Sequence, residues 1–346
     1  MRKWGVVVAV LGVLMLAGAA VLRYVVVPGG QMLPADTNEK IVYVGTQKTV
    51  NQEALQTGDT ANAMTSSPVK VDRQVEVLQT EGDKARVSDA ALVTDTANGK
   101  TVSDTEHFYT IDRKSLMAIP NFTDKPAEKA EGLVIGYPIG TEKVNYVGWL
   151  QEVKDTGHSL YTGETEVEGL PVYRFAGTFS TALPADQIPA GGMTSVAKAD
   201  LVNMVKALGL PADLQKQLQS ALPVLPARIP LTYTYGQADK YLVEPTTGVI
   251  VDMTRKTTVS VGMAGLESMQ FPLYQLTVTY TPKNVTDMVS KAQDGLDQLQ
   301  LYGTTIPLVL AGLGVVFLIV SIPMMVRRKK KEVLPPAPPR QSAMVG

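Results

Sequence analysis

The sequence predicts a mainly antiparallel β fold with a few helices (α+β): an irregular, barrel-like domain between two transmembrane helices. Three observations predict it. Residues 306–326, IPLVLAGLGVVFLIVSIPMMV, hold no charged side chain and are followed at once by Arg327, Arg328, Lys329, Lys330 and Lys331. Residues 4–27 are apolar except for Arg23 and Tyr24. Between these segments Val, Thr and Tyr alternate with polar residues in several runs, without the alternation of strands and helices that marks a parallel doubly wound sheet.

Composition narrows the function classes. The chain has 346 residues, 45% of them hydrophobic and 19% charged, and no cysteine. A disulfide framework, a thiolate metal site and a Cys nucleophile are therefore excluded, and a large apolar core has to stabilise the fold. The net charge of −1 conceals an asymmetry. The two end segments hold nine cations against one acidic residue, Glu332, which leaves residues 28–305 with 23 cations against 32 acidic side chains. So acidic a domain is a poor partner for nucleic acid.

Taken in order, Met1–Lys3 is a short basic start assigned to the cytoplasm. Residues 4–27 fit a cleaved signal peptide, with Ala17-Gly18-Ala19 as the small-residue site, or an uncleaved transmembrane anchor. The apolar run continues past that site through Val25-Val26-Val27, a length that favours the anchor. Arg23 near its outer end can snorkel to the interface. Residues 28–305 form the extracytoplasmic, mostly β domain. Residues 306–326 cross the membrane, and the cationic cluster Arg327, Arg328, Lys329, Lys330 and Lys331 holds the basic, Pro-rich tail 327–346 in the cytoplasm. The result is a hairpin with both termini cytoplasmic. The tail segment Leu334–Arg340 is read as a disordered tail, with a polyproline ligand as the alternative.

Within the domain, Pro28-Gly29-Gly30 ends the first helix. Val69, Val71, Val75 and Val77 share one strand face opposite Lys70, Asp72, Gln74 and Glu76, and Arg73 breaks the apolar face. Val259, Val261 and Met263 alternate likewise, as do Tyr274, Leu276, Val278 and Tyr280. Asn98-Gly99, Thr156-Gly157 and Thr247-Gly248 signal turns. Thr194 is expected to cap a helix with the stripe Ala197, Leu201, Met204, Val205 and Leu208, ending at Gly209. Pro211 opens a second helix with Leu214 and Leu218 one turn apart. The pair is expected to cover a sheet edge or barrel mouth. Asn284 is expected to cap a last helix, with Val285, Met288, Val289, Ala292, Leu296 and Leu299 on its buried face, running toward residue 306.

Catalytic signals are sparse. His107 and His158 are the only histidines, and no HExxH, GxSxG, GxGxxG or P-loop pattern is present. The expectation is a non-enzymatic protein without metal or cofactor. Asn121-Phe122-Thr123 and Asn284-Val285-Thr286 match a glycosylation acceptor pattern that has meaning only in a eukaryotic secretory route.

Three stretches carry a family resemblance: Tyr137-Pro138-Ile139-Gly140-Thr141-Glu142-Lys143, Gly169-Leu170-Pro171-Val172-Tyr173-Arg174-Phe175 and Val243-Glu244-Pro245-Thr246-Thr247-Gly248-Val249. With the two-anchor layout they resemble the actinobacterial porin PorA family, over nearly the whole chain. That resemblance implies channel activity, which two apolar helices carrying a single Arg would support only in an oligomer. The second and third stretches also resemble the class B scavenger receptors, the family of the lysosomal integral membrane protein. That more distant likeness implies an irregular β-barrel with a hydrophobic tunnel that binds and passes lipids, although this chain is shorter and lacks their disulfides. From the residues alone, Gly169, Pro171, Tyr173, Arg174, Phe175, Glu244, Pro245 and Gly248 have folding roles. Glu244–Gly248 is a tight hairpin turn, and Arg174 is a candidate partner for Glu244. No ligand-binding residue can be assigned. The expected function is binding or passing lipids or lipid-linked glycans (lipoglycan) of the cell envelope at the membrane. The alternatives are a channel, in line with the porin label, and a scaffold that recruits envelope enzymes or self-associates.

Overall fold

The structure, a computed structural model, describes residues 2–51, 53–54, 59, 62–183, 187–188, 193–201, 212–264 and 266–326. In chain order the elements are α1 (Arg2–Val21), a π turn (Leu22–Val26) and one more helical turn (Val27–Gly30), β1 (Asn38–Val50), β2 (Met64–Glu81), β3 (Lys84–Asp95), β4 (Thr101–Asp112), β5 (Tyr146–Leu150), β6 (Asp155–Val167), β7 (Leu170–Ala182), β8 (Ser195–Ala197), α2 (Ala212–Ala221), β9 (Arg228–Val243), β10 (Ile250–Met263), β11 (Leu266–Tyr280), α3 (Pro282–Gln300), a π turn (Leu301–Thr305) and α4 (Ile306–Val326). The chain divides into two compact units. One joins the N-terminal residues up to Gly30 to the chain from Gln298 onward, and the other is Gln31–Asp297.

The first unit is helical. Lys3–Gly30 and Pro282–Val326 each contain a stretch long and apolar enough to cross a bilayer, and the protein is a membrane protein. The two spans pack through small residues. Gly5, Gly12 and Ala19 are buried on α1 and Pro307, Gly314 and Ser321 on α4, each set repeating every seven residues. At the crossing a Cβ on Gly12 would lie 2.8 Å from the Gly314 carbonyl, and one on Gly314 would lie 2.8 Å from the Gly12 carbonyl. Such close backbone approach replaces the hydrophobic drive that apolar surroundings cannot supply.

The second unit is an eleven-stranded antiparallel sheet in the order β4-β3-β2-β1-β11-β10-β9-β7-β6-β5, with β8 paired to β9. It curls. Val77, Val87 and Tyr109 on β2–β4 share a core cluster with Phe175 on β7 and Val243 on β9. The two edge strands do not pair. Residues 113–145 fill the gap through three isolated bridges, Ile111 to Ala118, Met117 to Leu133 and Leu133 to Gly148 on β5. Backbone bonds from Ala118 N to Gly132 O (2.8 Å), Leu133 N to Val147 O (2.8 Å) and Trp149 N to Leu133 O (2.8 Å) line this seam.

The predicted alternations hold where burial enforces them. Val69, Val71, Val75 and Val77 are buried on one side of β2, and Val261, Met263, Val278 and Tyr280 on β10 and β11. Helix α3 lays Val289 and Ala292 against Leu170, Val172 and Val251 on the sheet's outer face, with Val285, Met288 and Leu296 beside them.

Several local expectations are corrected. Asn284 is not the cap of α3. Thr281 takes that place, its hydroxyl accepting from Asn284 N at 3.1 Å with Pro282 in the first turn, while the Asn284 amide donates to Val42 O on β1. Thr156-Gly157 lies inside β6, opposite Trp149 and Gly148; Gly157 makes room for the Leu150 side chain, and the turn falls one step earlier, with Lys154 at φ 51°. Ala197 is in strand β8 rather than in a helix led by Thr194, because it pairs with Arg228. Of that expected helix pair, residues 198–201 are helical and α2 follows. Leu201 and Leu218 are buried together with Ile229, Tyr233 and Phe271, while Met204, Val205, Leu208, Gly209 and Pro211 lie outside the described residues.

Asp112 starts the seam. Its carboxylate accepts from Lys114 N (3.0 Å), Ser115 N (2.7 Å) and Ser115 Oγ (2.9 Å), folding the turn that sends the chain from β4 to the first bridge. Burial works against ionisation here, but the hydrogen bonds from Ser115 and Lys114 outweigh it and hold this carboxyl below the ordinary range. A depressed folded pKa means the stabilisation is complete above the unfolded value, about 3.9, and is lost as the pH falls through the folded one. Asp112→Asn is therefore expected to lower the urea midpoint of the purified chain at pH 7. The gap to the parent protein should narrow as the pH falls below the unfolded value of about 4, and an equal gap at neutral and acid pH would contradict this account.

Candidate functional site

The curled sheet encloses a cavity of about 640 Å³. One wall is apolar, formed by Val71, Ala91, Val93, Met253, Leu276 and Val278. Facing into it are two arginine–aspartate pairs. Arg73 on β2 grips Asp89 on β3 with two bonds of 2.8 Å. Arg255 on β10 bonds Asp239, directly opposite on β9, at 2.9 and 3.3 Å, and its second amino group reaches the Tyr241 hydroxyl at 2.8 Å. The Asp239 carboxylate also accepts from Tyr241 (2.9 Å) and from the Gln237 amide (2.6 Å), and the Gln237 carbonyl accepts from Tyr235 at 2.6 Å. Every second residue from Tyr235 to Tyr241 thus belongs to one polar ladder on the inner face of β9.

Burial alone would lower the Arg73 pKa, but Asp89 and the Tyr43 hydroxyl hold it above that of an ordinary arginine. Burial acts the same way on Arg255, against Tyr241, Asp239 and Glu152, with the same outcome. Burial pushes the Tyr241 hydroxyl up as well. Glu152 and Lys154 add one charge of each sign to the lining, so its formal charges balance. His107 and His158 both line the cavity, and His107 Nδ1 lies 2.8 Å from Glu128. Among the described residues no group of three His, Asp or Glu side chains is placed to hold a metal ion.

The motif residues converge at one end of the cavity. Tyr137 is buried there, stacked on Phe175 (4.7 Å between ring centroids) and edge-on to Tyr146 (5.6 Å) and Tyr241 (5.7 Å), with its hydroxyl 2.5 Å from Ser159 Oγ. Gly140 N donates to Thr246 O at 3.2 Å, and Gly248, at φ +74°, lies under the carbonyls of Tyr137 and Pro138, where a Cβ would come within 2.6 and 2.5 Å of them. The three sequence stretches therefore form one packed unit.

Their members have distinct places. Glu168 and Gly169 both take positive φ (49° and 81°), the twist a two-residue hairpin between β6 and β7 needs. Pro171 pairs with Glu166 at the start of β7. Tyr173 stands edge-on to Tyr161 at 5.7 Å, under the Lys143 ammonium. Glu244 is buried, and its carboxylate accepts from Thr246 N (3.0 Å), Thr247 N (2.7 Å) and Thr247 Oγ (2.6 Å), tying the turn that Pro245 opens. The expected Arg174–Glu244 pair is not formed. Arg174 points to the outer, exposed face with its guanidinium over Gly163, while the Glu244 oxygens are committed to their own turn. Arg327, Arg328, Lys329, Lys330 and Lys331 lie outside the described residues.

Sequence reading missed Asp89, Gln237, Asp239, Tyr241 and Arg255 as cavity residues. Arg73 was the available signal: a charge on an otherwise apolar strand face marks the interior of a hollow barrel as well as a defect in a solid core. Asp89→Ala would strand the Arg73 guanidinium in the lining and is expected to reduce unfolding free energy by about 3 kcal/mol. The double variant Arg73→Met with Asp89→Leu should recover most of that loss in urea unfolding. A single variant as stable as the parent would remove the pair from the stability account.

A family model described as Porin PorA matches residues 4–322. A protein named Porin PorA from Corynebacterium resistens is 24% identical over 236 residues, which cover 58% of this chain and 57% of that relative. The chain therefore spans little more than half the length of the relative it matches. Among solved structures, an acyl-CoA hydrolase from Agrobacterium tumefaciens aligns at 10% identity over 72% of this chain and 98% of its own, with a TM-score of 0.16. A MaoC-like dehydratase aligns at 13% identity over 79% and 82%, with a TM-score of 0.11. Likeness at this level carries no argument about fold or activity.

Proposed function

This chain belongs to the porin PorA family, and from that premise we propose that it is a non-enzymatic membrane protein of the bacterial cell envelope with a porin-like role, whose β domain takes a solute into its cavity. The observation that carries this is the cavity itself: about 640 Å³, with matched charges and hydrogen-bonding side chains on its wall. In the proposed topology α1 and α4 anchor the protein, both termini are cytoplasmic, and residues 28–305 are outside. The cationic run 327–331 supports that orientation.

The barrel does not cross the membrane in the manner of an outer-membrane porin. Its outer face carries exposed Lys40, Lys48, Glu106, Lys240 and Lys256 on four different strands, where a lipid-facing barrel needs an apolar band. A conducting pathway would therefore involve several copies, since a pair of apolar helices cannot line an aqueous pore.

A second reading, binding of lipids or lipid-linked glycans, is favoured by the apolar wall beside the polar pairs and by the aromatic cluster around Tyr137 that fills one end of the cavity. An amphipathic cavity of this size suits a bound molecule better than a passing ion. One preparation of the full chain in mild detergent separates the two. Stepwise conductance in planar bilayers, altered by Asp239→Ala, supports the porin-like role. No conductance together with a retained lipid mass in native mass spectrometry moves the function to a carrier, and neither signal would overturn both.

A further inference from the structure

Arg23 is the only charged residue between Trp4 and Val27, and a charge on an apolar span needs either the interface or a partner. Its partner lies on the other span. Arg23 Nη1 donates to the Gly303 carbonyl at 2.8 Å, with the guanidinium carbon 6.0 Å from the Tyr24 ring centroid. The sequence explains why that carbonyl is available. In an α-helix Gly303 O would accept from the N–H four residues on, but residue 307 is proline and has none. The helix relaxes into a π turn at Leu301–Thr305, and Arg23 itself stands in the matching π turn Leu22–Val26. In lipid no water replaces the missing donor.

The contact is in step with the rest of the helix pair. Residue 12 meets 314 and residue 23 meets 303 in one antiparallel register, and residue 5 meets 325 within one helical turn of it. Ala19, the last residue of the candidate cleavage site, is buried on α1. Cleavage there would strip the Gly12–Gly314 contact from α4 and detach the helix that positions Arg23.

We propose that α1 is retained in the mature protein as the partner helix of α4, and that Arg23 is a positioning residue supplying the hydrogen bond that Pro307 withholds from Gly303. The pair Arg23–Pro307 is then a coupled unit.

The test uses the full chain from bacterial membranes in detergent. Intact mass is expected to include residues 4–27, and a mature chain beginning after Ala19 would overturn the proposal. Amide hydrogen exchange over residues 298–310 then reads the clasp. Arg23→Leu is expected to speed exchange about tenfold, the loss of one charge-assisted hydrogen bond. In a Pro307→Ala background, where the backbone N–H is restored, Arg23→Leu should change exchange by less than about twofold, because its acceptor is already satisfied. Equal acceleration in both backgrounds, or none in either, would overturn it. Arg23→Lys, which keeps a charged donor but not the guanidinium geometry, is expected to fall between the parent and Arg23→Leu; an effect as large as that of leucine would also count against the assignment.

Discussion

The edges of a sheet are its unfinished part, since each leaves a row of N–H and C=O groups without partners. In this domain the edges are β4 and β5, and what stands between them is not a strand but the irregular segment 113–145, crossing from Ala118 through Leu133 to Gly148 by single bridges. Everything inside the curl depends on that segment staying in place. Its anchor is Tyr137, packed among Phe175, Tyr146 and Tyr241. Aromatic rings in tilted contact add specificity to their buried area, and the Gly140–Thr246 bond ties the same segment to the turn between β9 and β10. The glycines follow from this closeness. Gly248 serves a tight turn, and it also lets two carbonyls of the seam lie where a side chain would stand.

That geometry explains which parts of the fold were legible. Strands β2, β10 and β11 bury one face against a core, so their alternation is written in Val, Met and Tyr at every second position. Helix α3 is legible for the same reason, through Val289 and Ala292. The seam has no period because it makes single bridges, and its only sequence trace was a set of motif residues with no element to belong to. The β9 ladder was illegible for a different reason. Its inward residues, Tyr235, Gln237, Asp239 and Tyr241, are polar, so a search for apolar alternation passes over a face that is interior but lines a cavity. The candidate pair Arg174–Glu244 does not form, and charge type alone fixes no partner. A carboxylate two or three residues before free turn amides is satisfied locally, as Glu244 is by Thr246 and Thr247. The cap of α3 was misplaced for a related reason. Thr281 and Asn284 both have capping chemistry, but the proline between them fits the first turn and so fixes Thr281 as the cap.

The charged residues of the domain are sorted by face. Outside, Lys and Glu side chains are exposed to solvent, where ion pairs such as Lys70–Asp72 contribute little. Inside, each arginine is held by an aspartate through two hydrogen bonds, at an angle and distance that only neighbouring strands can fix. Partly buried pairs of this kind are weak contributors to stability compared with apolar residues of the same volume. Stability alone therefore does not account for them. They give the cavity a wall with fixed donors and acceptors and no net charge; a guest of the proposed kind would be selected there by hydrogen-bond pattern and shape rather than by the sign of its charge. A lining of that kind does not concentrate ions of one sign, as rings of like charge do in selective channels.

The same sorting separates the two units by solvent. On the sheet, backbone groups are satisfied strand to strand and the outer side chains can be charged, because water is the expected neighbour. In α1 and α4 the outer side chains are Val, Leu and Ile; of the polar groups that remain, the buried Ser321 donates its Oγ to Leu318 O of its own helix at 2.7 Å, and Arg23 donates to Gly303 on the partner span. Proline in such a span frees a carbonyl that lipid cannot satisfy, and a neighbouring helix is one source of the missing donor. At Pro307 that donor is Arg23 on the partner span. The charge that reads as an exception in the sequence is thus a consequence of the proline 284 residues further along, and the two anchors are better understood as one folded element than as two independent tethers.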